Sequence, residues 1–466
     1  MIRRFIPKGF RRSASLPPIR IAAAAAAAVE SLEPRQLLSV SFDTYLIGPG
    51  DVQPLASAAD AKGNVYVLGT FTGTVDFNPA ANKTFNVNGD DPLREPCPFV
   101  AKYSASGGLY WVLPFRGESV GTGFLTVPDL QSIAVDSSGS IFLGGRLRGT
   151  IDADPGRKVR IRESESDFDV IVMKFGADTR FMGATNFTLD GQFAEDATQL
   201  KVDNAGNAYV AGTYDDGGYV AKVSARGNFA WWNNTPDSND GVALGIDRNQ
   251  NPVLVGRSGT TAAMGLTRYN AAGRFVSHQL LTSSASATGV ITPVGIDFDS
   301  SNNPLVAGNL TGFADFDPSN ASYVLGPKLS SDQSSNIFFA EYTPRGKLNF
   351  ARLIGSTGQD AAAGIHIDPK SGNFYLAGAF DGPVDFDPGR SGVFVMDTGR
   401  HAEPSDLFVA TYTHLGAFIN AAQLGAPGTI ETPISFSLAP SGRVYVLGKS
   451  ESSGGSESIS LFDTIR

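Results

Sequence analysis

The chain has 466 residues and a formal net charge of −9, from 37 Lys and Arg against 46 Asp and Glu. Such a surface repels phosphate backbones and anionic headgroups, and no Lys/Arg cluster follows residue 20, so nucleic acid is not an expected partner. Only 18% of residues are charged, while 53 are Gly and 31 are Phe, a turn-rich and aromatic-rich composition that excludes a helical bundle and suits strands. Cys97 is the single cysteine, which excludes an internal disulfide and a thiolate metal site.

Residues 1–39 are a different material from the rest. Basic residues lead into an apolar run, Ile21 to Val29, built mostly of Ala, and the chain then turns polar. That order is expected of an export signal. The run is too short to span a bilayer, which needs about 20 apolar residues, and no transmembrane span is expected elsewhere. An Ala-rich tail is the plainer alternative. The stretch "LEPRQLLS" resembles the LEPR-XLL motif found near the start of large exported bacterial proteins, matching at Leu32, Glu33, Pro34, Arg35, Leu37 and Leu38. The resemblance implies an exported, extracellular or cell-surface protein.

From residue 40 onward the chain repeats. A strand, a turn of the D-x-x-G-N kind and a second strand ending in Gly occur seven times, closing at Gly69, Gly145, Gly212, Gly256, Gly308, Gly378 and Gly448. Asp and Asn bond their own backbone in such turns, and Gly63, Gly139, Gly206, Gly372 and Gly442 supply positive φ. In the fourth copy Asn251 and Pro252 stand where the turn would carry Gly-Asn. The apolar "VYVLG" run suits a strand buried on both faces, and its terminal Gly suits close approach of a neighbouring backbone. A second pair of strands follows six of the hairpins, as in "FVAKYSASGGLYWVLPF". Four antiparallel strands per unit are the content of a propeller blade.

These observations predict an all-β, seven-bladed β-propeller over residues 40–466. The seventh hairpin is followed by "SESISLFDTIR" alone, one strand short. The stretch Phe42 to Asp51, "FDTYLIGPGD", reads like "FARLIGSTGQD" at the end of the fifth unit, and is expected to complete the last blade. The pattern D-x-x-G-N-x-Y-V-x-G followed by F-V-A-K-Y-x-x-x-G resembles the SBBP repeat of bacterial seven-bladed propellers. It differs from NHL-type repeats, whose second strand ends in Asp where these copies carry Gly.

One phrase recurs in four units: "FTGTVDFNP", "LRGTIDADP", "LTGFADFDP" and "FDGPVDFDP". It sets Asp76 with Asn78, Asp152 with Asp154, Asp315 with Asp317, and Asp385 with Asp387, each pair just beyond the second strand. Carboxylates two residues apart share one side of an extended strand, and hard oxygen ligands suit Ca²⁺, so a cation-binding acidic rim is one reading. The other is a turn, in which Asp bonds local N–H groups and Pro ends the strand. The turn is favoured because a Ca²⁺ site draws on 6 to 8 oxygens and one pair offers too few.

Other candidates carry less. Gly117 to Gly121, "GESVG", matches a nucleophile elbow in letters, but lies between blades and not at a strand-to-helix turn. His278, His366, His401 and His414 lack metal-ligand spacing, and His366 reads as a packed inner-strand residue. Trp111, Trp231 and Trp232 fall in outer strands and are expected between blades. The functional expectation is a monomeric, non-catalytic binding or structural module whose partner is a surface protein or glycan, with the acidic rim as its contact surface. The competing expectation is a glycan hydrolase or lyase with carboxylates at the channel mouth.

Overall fold

The apolar runs form strands, and among the described residues there is no helix. The computed structural model describes residues 39–46, 51–78, 83–90, 95–120, 123–156, 158–165, 168–189, 197–214, 217–235, 242–258, 263–282, 289–319, 321–327, 334–389, 392–399, 405–424, 429–452 and 457–465. Residues 1–38, with the Leu32 to Leu38 motif, lie outside them.

The protein is a β-propeller of four-stranded antiparallel blades, each built from strands taken in chain order from the centre outward. The first blade is Val52–Ala59, Val65–Phe71, Cys97–Tyr103 and Leu109–Pro114, and the second is Asp129–Val135, Ile141–Leu147, Asp169–Phe175 and Phe181–Phe187. The third is Gln199–Val202, Ala208–Tyr214, Gly217–Val223 and Phe229–Thr235, and the fourth is Val242–Ile246, Pro252–Ser258, Ala263–Tyr269 and Phe275–Leu280. The fifth is Val290–Phe298, Pro304–Thr311, Ser335–Tyr342 and Leu348–Ile354, and the sixth is Ala361–Ile367, Phe374–Asp381, Ser405–Tyr412 and Phe418–Leu424.

Six blades of consecutive strands therefore stand where seven were expected. The remaining strands do not repeat that plan: Thr429–Leu438, Val444–Ser452 and Glu457–Ile465 are consecutive, but the strand beside them is Ser39–Leu46, from the opposite end of the chain. Ser39–Leu46 runs antiparallel to Glu457–Ile465 with Ser39 opposite Ile465.

The turn between first and second strands is held by its Asp. In the first blade Asp60 Oδ1 accepts the N–H groups of Lys62 and Asn64, each at 2.9 Å. Its Oδ2 accepts from Asn64 Nδ2 at 2.8 Å and from Tyr66 Oη at 3.3 Å, with Lys102 Nζ at 3.4 Å. Asp203 repeats the set with Ala205, Asn207 and Tyr209. The third residue after the Asp is left-handed whether or not it is Gly: Gly63 has φ 77°, Gln250 63° and Asn302 67°. The fourth copy is thus corrected by one position. Gln250 stands in place of Gly, and Asn251 keeps the Asn role, donating to Asp247 Oδ2.

The Gly expected to end the second strand lies inside it, two or more residues before its last residue, and in several blades it faces a bulge in the first. In the fifth blade the register slips between Pro293 and Gly295, opposite Gly308. A Cβ on Gly308 would lie 2.2 Å from the carbonyl oxygen of Thr292. Gly378 meets the oxygen of Ala361 at the same distance. The second strands are buried over most of their length, as in Val65, Tyr66, Val67 and Leu68.

The core is divided among the spaces between neighbouring sheets. One cluster joins Leu68 and Val100 of the first blade to Leu143 and Ile171 of the second; another joins Phe339 and Phe350 of the fifth to Phe374 and Phe408 of the sixth. Polar staples run alongside. Lys174 Nζ donates to the Ala225 carbonyl and Lys222 Nζ to that of Ala271, each reaching a turn of the next blade while lying over an aromatic ring of its own.

Two predictions follow from this packing. Gly308→Ala should lower unfolding stability by roughly 1–3 kcal/mol through overpacking against the Thr292 carbonyl. Gly183→Ala, where a Cβ meets nothing within 4 Å, should stay within about 0.5 kcal/mol of the parent in urea titrations. Burial resists ionisation of Asp60, but Asn64, Lys102 and the Lys62 amide outweigh it and hold the carboxyl below its ordinary range. A depressed folded pKa stabilises above the unfolded value near 3.9 and loses that contribution as pH falls through the folded value. Asp60→Asn should therefore cost stability at neutral pH and lose less than the parent on acidification below about pH 4.

Candidate functional site

Each acidic phrase forms a two-stranded hairpin inserted between the second and third strands of its blade. Thr74–Asp76 pairs with Asn86–Asn88, Thr150–Asp152 with Ile161–Glu163, Ala314–Asp315 with Val324–Leu325, and Pro383–Asp385 with Val395–Asp397. A left-handed Gly opens each one, Gly73, Gly149, Gly312 and Gly382. In an up-and-down blade, connections from second to third strand emerge on a single face. The hairpins of the fifth and sixth blades accordingly border one groove, lined by Tyr323 and Leu325 from one and Pro388 and Gly389 from the other.

The first acid closes each hairpin. Asp76 Oδ1 accepts from Asn78 N at 3.0 Å and Phe85 N at 2.7 Å; Asp152 Oδ1 from Asp154 N at 3.0 Å and Arg160 N at 2.7 Å. Asp315 Oδ1 accepts from Asp317 N at 3.1 Å and Tyr323 N at 2.7 Å; Asp385 Oδ1 from Asp387 N at 3.0 Å and Phe394 N at 2.8 Å. The second acid holds a smaller turn, Asp154 with Gly156 N, Asp317 with Ser319 N and Asp387 with Gly389 N. Among the described residues no three His, Cys, Asp or Glu side chains gather as a group that could hold a metal ion.

The residue between the two acids points the other way. Phe77, Ala153, Phe316 and Phe386 are fully buried, and in the first and sixth blades the carbonyl at this position accepts from the last residue of the third strand. Tyr103 Oη donates to the Phe77 carbonyl at 3.1 Å, and Tyr412 Oη to that of Phe386 at 2.9 Å. Where the plug shrinks to Ala153, the third strand ends in Phe175. Burial first, then the nearby Asp76 charge, pushes the Tyr103 phenol far above its ordinary range, so it acts only as a neutral donor. The outer sides of the hairpins expose Phe85, Val159, Ile161, Tyr323, Val324, Val393 and Val395, the last two at 80% and 53%. The third and fourth blades carry no such insertion, joining second to third strand through residues 215–216 and 259–262.

The lesser candidates are also placed. Glu118–Val120 pairs with Gly123–Leu125, Ser119 opposite Phe124, so "GESVG" begins a β-ribbon; its Glu118 to Val120 side chains and Gly121 lie outside the described residues. Trp111 packs edge-on to Tyr66 and Trp232 to Tyr214, each within its own blade, and both also lie against the clusters shared with a neighbouring blade. His278 Nδ1 bonds Thr267 Oγ1 at 3.1 Å. His414 interacts electrostatically with Glu341, and His401 lies outside the described residues.

His366 differs from its expected role. It lines a central cavity of about 160 Å³ together with Ser57, Gln131, Ser132, Thr198 and Lys201. Its Nδ1 lies 3.5 Å from Asp297 Oδ2, and its ring packs on Phe436. Asp297 also accepts the N–H groups of Ile367 and Phe298. Burial opposes its charge, but His366 and these two amides prevail and hold the carboxyl below its ordinary range. Burial lowers the pKa of Lys201, and the Asp297 charge offsets part of that.

Sequence reasoning missed Lys201 and Asp297. The signal was a column: two residues before the turn Asp or its equivalent stand Ala58, Ala134, Lys201, Gly245, Asp297, His366 and Ser437. Small residues fill that position except where three ionisable side chains enter.

No protein-family model matches the chain, and no curated protein matches it. Among solved structures it is similar to a catalytically inactive virginiamycin B lyase from Staphylococcus aureus with quinupristin, at 8% identity and TM-score 0.46, covering 90% of this chain and 99% of that one. A protein from Lactobacillus plantarum is similar at 11% identity and TM-score 0.44, over 84% and 94%. An α-L-arabinofuranosidase from Fusarium graminearum with an iminosugar inhibitor is similar at 12% and 0.38, over 89% and 93%.

The hairpin geometry separates charge from hydrogen bonding. Asp385→Asn keeps an Oδ1 acceptor for Asp387 and Phe394, whereas Asp385→Ala leaves both amides without it. Urea unfolding should find Asn close to the parent and Ala weaker by about 1–3 kcal/mol. Equal losses would mean that the charge matters, as a cation would require.

Proposed function

We propose that the chain is an exported, cell-surface or extracellular β-propeller of the SBBP-repeat kind that acts as a non-catalytic binding module. Its contact surface is the rim of inserted hairpins, and its partner is a surface protein or a glycan. The observation that carries this reading is the recurrence, in four blades, of an internally hydrogen-bonded hairpin with apolar side chains facing outward. Side chains presented on ordered backbone lose little freedom on binding, and exposed apolar groups rimmed by polar ones mark interaction surfaces. Export rests on the basic, Ala-rich and LEPR-XLL order of residues 1–39.

The same reading takes the sheet ending in Glu457–Ile465 as a seventh blade, with Ser39–Leu46 closing the ring. It is supported by Ser57 Oγ, which hydrogen bonds Ser435 Oγ at 3.0 Å, and by the Tyr445 hydroxyl, which donates to the Gly63 carbonyl. Closure of this kind removes open sheet edges.

The alternative, a glycan hydrolase or lyase, calls for two carboxylates roughly 5 to 10 Å apart around a sugar. The cavity favours binding instead. Its described lining carries no carboxylate, Asp297 behind it is already engaged, and about 160 Å³ is well below the roughly 300 Å³ at which pockets for larger ligands begin.

The test compares the parent with a rim variant carrying Phe85→Ser, Val159→Ser, Tyr323→Ser, Val393→Ser and Val395→Ser. Binding to bacterial envelope fractions and to a glycan array is measured, with reducing-end and unsaturated-product assays on the same glycans. Retention of the parent, at least tenfold weaker retention of the variant and no cleavage are expected. Cleavage would establish the enzymatic alternative, and equal retention would move the contact surface away from the hairpins.

A further inference from the structure

The central cavity brings three ionisable side chains from the third, fifth and sixth blades to one position of the repeat. Lys201, Asp297 and His366 each stand two residues before the turn Asp of their own blade, at Asp203, Asp299 and Asp368. Between the third and fifth blades the fourth has Gly245 at that position, where the side chains of Phe298 and Ile296 pack against it. A structural role for the three charges would call for mutual neutralisation. Asp297 has it, from His366 and two backbone amides. Lys201 does not: among the described residues its ammonium has no hydrogen bond and no ion pair within 4 Å, and Asp297 acts on it only at longer range. Lys201 is half-buried at the cavity, and burial opposes its ammonium, which an anion in the cavity would offset.

We propose that this cavity is a binding site for a small carboxylate, with Lys201 as its charge partner and His366, oriented by Asp297, as its second contact. Size and charge select the ligand. About 160 Å³ has room for roughly five waters at about 30 Å³ each, or for a molecule of a few heavy atoms. The ammonium supplies three donors and calls for an anion. Asp297, behind His366, repels a dianion more than a monoanion, which disfavours phosphate. With Nδ1 on Asp297, His366 has Nε2 left for the ligand. The hydroxyl and amide groups of Ser57, Thr198 and Gln131 complete a polar wall. This site is separate from the rim hairpins and does not depend on their role.

The test titrates the full chain with acetate, lactate and phosphate at constant ionic strength, following heat and unfolding midpoint, beside Lys201→Met and His366→Gln. Saturable binding of acetate or lactate is expected, tenfold or more weaker in Lys201→Met and several-fold weaker in His366→Gln. Lys201→Met should unfold at a higher temperature than the ligand-free parent, because it removes a desolvated charge. Nitrogen resonances of the His366 ring should shift with lactate in the parent, a readout that needs no variant to fold. Absence of saturable binding by either carboxylate, or binding unchanged in Lys201→Met, would overturn the proposal. Phosphate binding as tightly as lactate would overturn the carboxylate assignment.

Discussion

A single carboxylate oxygen that accepts two backbone N–H groups is the device on which the fold depends. It occurs first in the turn between inner strands, where Asp60, Asp136, Asp203, Asp247 and Asp299 each bond the amides two and four residues on. It occurs again in the rim hairpins, where the second amide is eight or nine residues away. In both places an anionic acceptor satisfies amides that a tight turn leaves without a ladder partner, and charge-assisted bonds of this kind are the stronger ones. The left-handed residue beside the first turn is then tolerated even as Gln250 or Asn302. Everything outward of the turn, including the mostly buried second strand, inherits its register from it.

Much of this was legible because each feature answers a local requirement repeated many times. The Gly expected to end the second strand was read as a close-approach residue, and the Thr292 carbonyl beside Gly308 is what it approaches. The outer-strand Trp residues pack where aromatic side chains of that size would. Features that depend on residues from different copies were harder to see. The fourth turn slipped by one because Pro252 obscured that Gln250 takes the glycine position. His366 looked like a packed inner-strand residue because its neighbours Ile365 and Ile367 are apolar; its partner Asp297 belongs to another blade, and only a residue-by-residue column places them together. The blade count differs as well: six blades of consecutive strands stand where seven were expected, and the strands from Thr429 onward take Ser39–Leu46 as a neighbour instead of repeating the plan.

The acidic phrase combines opposite duties on alternate residues of one strand. Its Asp side chains organise the loop through hydrogen bonds to local amides, while the Phe or Ala between the paired polar residues enters the space between blades. Plug and socket match: Phe77 and Phe386 meet Tyr103 and Tyr412, and the smaller Ala153 stands with Phe175. A hairpin anchored in this way can present Val393 or Tyr323 outward without disturbing the sheet beneath. The rim and the cavity thus offer different chemistry, a broad apolar surface outside and a small polar chamber at the centre.

Amide hydrogen exchange tests the central claim that the acids serve the hairpins themselves. The amides of Phe85, Arg160, Tyr323 and Phe394 are measured in Ca²⁺ and in chelator. Slow exchange at all four, unchanged between the two conditions, is predicted, because Asp76, Asp152, Asp315 and Asp385 protect them without help. Fast exchange in chelator that Ca²⁺ slows would contradict the account and make the rim a cation site.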